Sequence, residues 1–375
     1  MAYTDIDNGE EHFQILHYTG NGSTSSGITR TFDGSVNLKP GLMYHHKYAG
    51  GGNYHNIMEN EYTGPDTLWL TSSGDSVANE GTAASFDTNG FTHSTNNLAT
   101  YYHNENGKSY GVWAWSETGA SNVTNTSGDI TSTVRAHPDA GWSIVNWTGN
   151  STADQTIGHG LGYTPEALWM YPIQVAANNG NTQRPMWFSA NSANHNFNTG
   201  LNESDTESDS TNGRITAREA SGRGSSTTFM VRVGNSSYEN VNHSSQNYMC
   251  IAWRSVKGFS KFGKYRGNSD ANGPTVYTGF KPALVICKRV GGNHAFRCFD
   301  NRRDPINLDG GHSSINIAAN YGAEVRDSNT KIDFLSNGFK LRCTFAALNG
   351  SDDYAYAAFA ENPFISSKGV PTTAR

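Results

Sequence analysis

Charge is scarce in this 375-residue chain: 16% of the residues are Asp, Glu, Lys or Arg, and the formal net charge is -6. The main basic clusters, Lys261-Phe-Gly-Lys264-Tyr-Arg266 and Arg302-Arg303, are too small to form the basic face of a nucleic-acid binder. Apolar residues are few at 35%, and no run of them is long enough to cross a bilayer. The polar, acidic opening from Met1 to Asn8 reads as no signal peptide. Cys250, Cys287, Cys298 and Cys343 lack CxxC spacing and read as free, mostly buried thiols. There is no Gly-x-Ser-x-Gly elbow, no His-Glu-x-x-His and no Walker sequence, which leaves no ready catalytic motif. No stretch carries capped helical periodicity.

What the chain does have is aromatics (11%) and glycine (41 residues), with abundant Asn, Ser and Thr. That mixture builds short strands with aromatic buried faces, joined by polar turns.

Self-similarity organises these residues. Three openings read alike: Ile15-Leu-His-Tyr18-Thr-Gly20-Asn21, Ile144-Val-Asn-Trp147-Thr-Gly149-Asn150 and Phe262-Gly-Lys-Tyr265-Arg-Gly267-Asn268. A strand-entrance proline follows each, at Pro40, Pro165 and Pro282. Each unit closes on Tyr, three residues, Ala and a large aromatic: Tyr110 to Trp115, Tyr248 to Trp253, Tyr354 to Phe359. A Phe precedes each closing Tyr by 19, 19 and 15 residues (Phe91, Phe229, Phe339). The openings recur after 129 and 118 residues, which is a whole domain rather than a solenoid coil.

The expected architecture is therefore all-β, with three tandem antiparallel β-sandwich (jelly-roll-like) domains. The boundaries are an N-terminal segment 1–11, repeats at 12–119, 141–257 and 258–364, a linker at 120–140 and a tail at 365–375. The Gly-Asn-Gly/Ser step after each first strand reads as a hairpin or bulge that uses φ > 0. The Ala before each closing aromatic marks a crowded spot in the sheet.

Candidate sites are sparse. His45 and His46 are neighbours on one strand, so they point to opposite faces and cannot share a metal without a bend. With His55 they read as a surface strand and Gly loop. Asp205, Glu207 and Asp209 offer oxygens to Ca²⁺, but they lack the Gly turn and distal Glu of an EF-hand loop and read as a solvated loop. Gly158-His-Gly160-Leu-Gly162 is a turn, since no helix follows to meet a phosphate. Trp69, Trp113 and Trp187 are the aromatics offered for stacking on a sugar at the surface. No catalytic, cofactor or metal residue is assigned.

The combination of Tyr18-Thr-Gly-Asn-Gly22, Gly279-Phe-Lys-Pro-Ala-Leu-Val-Ile286, Ser336-Asn-Gly-Phe339 and Tyr356-Ala-Ala-Phe-Ala-Glu-Asn-Pro-Phe364 resembles repeat-domain structural proteins of marine tailed bacteriophages, such as those infecting cyanobacteria and pelagic bacteria. The third repeat matches best; the second has Thr227-Thr-Phe229 where the others have Asn-Gly-Phe. The resemblance implies a non-enzymatic virion protein on the particle exterior, made in the host cytoplasm. As a tail fibre or spike component it would contact the host surface. The alternatives are a capsid decoration or head-fibre protein and, from another class, a polysaccharide-degrading enzyme. The implied partners are other virion proteins, further copies of the chain (a trimer) and a host cell-surface glycan or protein. Neither nucleic acid nor membrane insertion is expected.

Overall fold

The computed structural model describes residues 5–6, 8–23, 28–49, 56–62, 64–70, 83–93, 103–172, 185–189, 197–200, 208–209, 214–217, 224–232, 241–290, 294, 296–303, 307, 312–316 and 327–361. Strand accounts for 50% and helix for 4%, so the chain is all-β, with several antiparallel sheets. The first segment supplies β1 (Phe13–Thr19), β2 (Ile28–Arg30), β3 (Pro40–Ala49), β4 (Asn56–Asn60), β5 (Gly64–Leu70), β6 (Ala83–Asp87), β7 (Gly90–His93) and β8 (Ser109–Ser116). After β9 (Val123–Asn125) and β10 (Ser132–His137), the second segment supplies β11 (Trp142–Thr148), β12 (Gln155–Gly158), β13 (Ala167–Pro172), β14 (Pro185–Phe188), β15 (Phe197–Gly200), β16 (Ser208–Asp209), β17 (Arg214–Thr216), β18 (Thr228–Arg232) and β19 (Asn247–Trp253). The third supplies β20 (Ser260–Arg266), β21 (Thr275–Tyr277), β22 (Leu284–Arg289), β23 (Arg297–Asp300), β24 (His312–Asn316), β25 (Asp327–Leu335), β26 (Gly338–Leu341), the short helix α1 (Ala346–Asn349) and β27 (Asp353–Phe359).

The pairing order recurs along the chain. In the first segment it is β1-β8-β3-β4-β5 and, separately, β2-β7-β6; in the second, β11-β19-β13-β14-β15 and β12-β18-β17. In the third the two halves are continuous, as β20-β27-β22-β23-β24-β25-β26-β21. Register follows the same rule. Phe13 and Leu42 flank Trp115, Trp142 and Ala167 flank Trp253, and Ser260 and Leu284 flank Phe359.

The closing strands β8, β19 and β27 are buried on both faces, which is why they read as continuous apolar runs rather than alternating ones. On one face lie Ala114, Ala252 and Ala358, all fully buried; each packs into a core private to its own segment. On the other face lie Trp115, Trp253 and Phe359, which share a single core drawn from all three segments. Their ring centroids form a near-equilateral triangle with sides of 5.3, 5.2 and 5.3 Å. The three large sheets thus turn one face inward to a common centre.

The opening motifs acquire a physical reason. The aromatic of each opening stacks on the closing Tyr opposite it: Tyr18 on Tyr110 (5.2 Å), Trp147 on Tyr248 (5.5 Å) and Tyr265 on Tyr354 (5.0 Å). A Cβ on Gly20, Gly149 or Gly267 would lie 2.2, 2.2 or 2.0 Å from the carbonyl oxygen of Glu105, His243 or Gly350. These glycines therefore serve close backbone approach, and the motif's positive φ falls two residues on, at Gly22, Ser151 and Ser269 (φ 67°, 55° and 58°). The asparagine after each forms a reciprocal clamp. Asn21 N–H donates to Asn104 Oδ1 (3.0 Å) and Asn104 Nδ2 donates back to Asn21 Oδ1 (2.8 Å). Asn150 with Asn242, and Asn268 with Asn349, repeat both bonds.

Two expectations are revised. Residues 120–140 are not a bare linker: β10 pairs with β11 and β9 with β10, extending the second sheet. Val134 and Ile130 point into that segment's core and hold the strands there. Residues 1–11 are likewise not a detached segment, since Ile6 lies in the shared core and Asp5 N–H donates to Lys257 O at 3.1 Å. The cysteines are free and all buried; burial pushes the Cys287 thiol up to about 12 and the Cys250 thiol higher still. The tail 365–375 lies outside the described residues.

Candidate functional site

The second sheet extends sideways beyond the shared core, and its polar residues there form the floor of a cleft. Cross-strand neighbours share a face. Thr133 pairs with Asn146 and Asn146 with Met249, a shared-core residue. Thr133 and Asn146 therefore lie on the inward face, as do Thr148 and its partner Asn247. Together with Thr131 and Tyr62 they line a cleft of about 370 Å³. Trp147 and Tyr248 also border it, but their rings stack on each other within the second segment's own core.

Tyr62 comes from the first segment and rims a site built mainly by the second. Its loop is fastened by Glu61, whose Oε1 accepts from Thr118 N–H (3.0 Å) and whose Oε2 meets Arg135 Nη1 on β10 at 3.3 Å. Tyr62 N–H donates to Asn60 Oδ1 at 3.0 Å. On the floor, Thr148 Oγ1 donates to Asn247 Oδ1 at 2.8 Å. The Asn146 amide is 6% exposed, and neither its oxygen nor its nitrogen has a hydrogen-bond partner among the described residues. A buried amide left unmet costs roughly 1–3 kcal/mol, a cost that a bound polar group would remove. Among the described residues, the lining holds no carboxylate, histidine or lysine. It matches a neutral, hydroxyl-rich ligand with one flat apolar side.

The surface aromatics expected from the sequence are corrected. Trp113 is 1% exposed, because it shares the inward face with Trp115; Trp187 is 3% exposed, inside the second segment's own core. Trp69 is on β5 and its side chain lies outside the described ones. His55, Asp205 and Glu207 also lie outside the described residues, as does the side chain of Asp209 on β16. Sequence reasoning missed Tyr62 and Asn146. Asn146 did carry a signal: it is a polar residue between Val145 and Trp147, where the other two openings have His17 and Lys264.

His45 and His46 do point to opposite faces, but both are buried rather than on the surface. His45 lies against Phe91, His93 and His103, with centroids 5.1, 5.6 and 4.8 Å away, and burial holds its pKa down to about 3. His46 faces the seam between the first and third segments, near His17 and Asp300. Burial keeps His46 well below its ordinary value. Burial opposes ionisation of Asp300, but His17, Arg303 and His46 outweigh it and hold the carboxyl well below the usual range.

Comparison with known proteins gives one match. The chain belongs to the family described as Domain of unknown function (DUF7483), whose model matches residues 8–363. No curated protein and no solved structure matches. The matched span starts before β1 and ends after β27, so the family unit contains all three segments.

Proposed function

We propose that this chain is a non-enzymatic structural and binding protein made of three tandem copies of one antiparallel β-sandwich, carried on the outside of a phage particle. Its role there is that of a tail-fibre or spike component that holds a host-surface glycan without turning it over. The tandem reading draws on the thrice-repeated pairing order and the three asparagine clamps. The phage setting draws on the resemblance of the sequence motifs. The same reading has further copies of the whole chain, as a homotrimer, held together with other virion proteins on the particle.

The observation that carries the binding reading is the cleft at Tyr62 and Asn146. Its hydroxyl and amide lining suits sugar hydroxyls, and the Tyr62 ring supplies a stacking face. Hydrolysis of a glycosidic bond ordinarily needs two carboxyl groups flanking the bond, and the described lining has none.

The test is titration of the full chain with host envelope polysaccharide, followed by calorimetry and by assay for new reducing ends. Saturable binding with no new ends is expected. Tyr62→Ala should weaken binding by about tenfold, in keeping with the worth of one aromatic contact; because Tyr62 also packs against the shared core, circular dichroism checks that the variant is folded. New reducing ends or unsaturated sugars would move the assignment to a polysaccharide-degrading enzyme. Unaltered affinity in Tyr62→Ala would remove the cleft from the account.

A further inference from the structure

We propose that His17, His46 and Asp300 form a binding site for a divalent late transition metal, one that clamps the third segment to the first. His17 is on β1, His46 on β3 and Asp300 at the end of β23, so residues far apart in the chain meet at one seam. One ligand atom from each lies within 4.8 Å of the others, a spread that a small movement closes around a single ion. His17 Nε2 is 3.2 Å from Asp300 Oδ1.

Two further observations point to a cation. Asp300 is fully buried, and its Oδ2 has no hydrogen-bond partner among the described residues, while Oδ1 accepts from Arg303 N–H at 2.8 Å. His17 lies 3.2 Å from Oδ1 and Arg303 adds positive charge nearby, so the unbonded Oδ2 is the oxygen left to take a metal ion. Gly111 stands opposite His46 on β8, and a Cβ there would lie 2.4 Å from His46 Nε2 and 3.2 Å from His17 Nε2. The missing side chain is what lets the two imidazoles face each other.

Two imidazole nitrogens and one carboxylate oxygen suit Zn²⁺, Co²⁺ or Ni²⁺ better than Ca²⁺ or Mg²⁺, which prefer all-oxygen shells. The positive charge of Arg303 acts on the same site and lowers its affinity, which favours the metals with the strongest nitrogen preference. Because the ligands bridge the two ends of the chain, bound metal would hold the ring of three segments closed. The structural role follows from that placement and does not depend on the glycan reading.

The experiment uses the full chain, stripped with chelator and titrated with Co²⁺ and with Zn²⁺. One equivalent is expected to bind, giving a visible cobalt spectrum, and Zn²⁺ should raise the thermal midpoint. Asp300→Asn and His17→Gln should each weaken Zn²⁺ binding by at least about 100-fold, the upper end of what loss of a mere outer-shell partner costs. Circular dichroism of each metal-free variant checks that it is folded. If a variant fails to fold, the wild-type titration decides alone. Absence of saturable one-to-one binding of either ion to the folded wild-type chain would overturn the proposal. So would unchanged affinity in both folded variants.

Discussion

Trp253→Ala should destabilise the protein by about 3–5 kcal/mol, the range for emptying a large aromatic from a packed core. Trp253 is 1% exposed and sits among Trp115, Trp142, Trp169, Phe262 and Phe359, contacts supplied by all three segments. A cavity there has no single segment that can relax into it. The loss should therefore appear for the whole chain, not only for the second segment. Urea unfolding followed by tryptophan fluorescence and by far-ultraviolet circular dichroism checks this. A change under about 1 kcal/mol would mean that the three aromatics are not a shared core.

Acid should unfold the chain well above the pH at which carboxylates alone would do it. Burial, above all other causes, keeps His45 at about 3 and His159 at about 4, against about 6.5 in an unfolded chain. Between those values the unfolded state binds protons that the folded state does not, so stability falls as pH drops. Each group contributes up to about 1.4 kcal/mol per pH unit in that window. His45 and His159 together therefore remove on the order of 5 kcal/mol between pH 6.5 and pH 4. His46 adds in the same direction, and His137, which is only partly buried, adds less. Glu361 opposes them, because burial raises its carboxyl and the folded chain takes up that proton first. A loss of this size is comparable with the whole stability of many proteins. Urea midpoints at pH 7, 6, 5 and 4 should fall steeply, and His45→Leu should flatten the slope by about one proton. A flat profile to pH 4 would show that these histidines are not neutral and buried.

Much of the fold was legible because the repeat is written in side chains that the backbone needs. Gly20, Gly149 and Gly267 are fixed by close carbonyls, and Ala114, Ala252 and Ala358 by crowding. Together with the repeated aromatics and prolines, those residues mark the strands. What the sequence did not disclose was which face of each sheet turns to the centre. Trp113-Ala114-Trp115 declares two faces, but both are buried, so alternation cannot tell a shared core from an exposed sugar-binding face. Hence the sequence offers Trp113 as a surface aromatic. The strands at 123–125 and 132–137 are hard to see in the sequence because they are short and sit in a Ser/Thr/Asn-rich stretch, with Ile130, Val134 and Ala136 as their apolar anchors. The cleft was illegible for a different reason. Asn146 and Asn247 lie on paired strands of the second segment, but Tyr62 reaches them through the packing of the first segment on the second, and no local spacing encodes that. The same holds for His17, His46 and Asp300.

The central claim is that three like segments share one core and so stand or fall together. Differential scanning calorimetry of the full chain at pH 7 addresses it most directly, through the ratio of calorimetric to van't Hoff enthalpy. The account predicts one transition with a ratio near one, monitored alike by near- and far-ultraviolet circular dichroism. Two or three separable transitions, with a ratio well above one, would show that the segments melt independently and would contradict it.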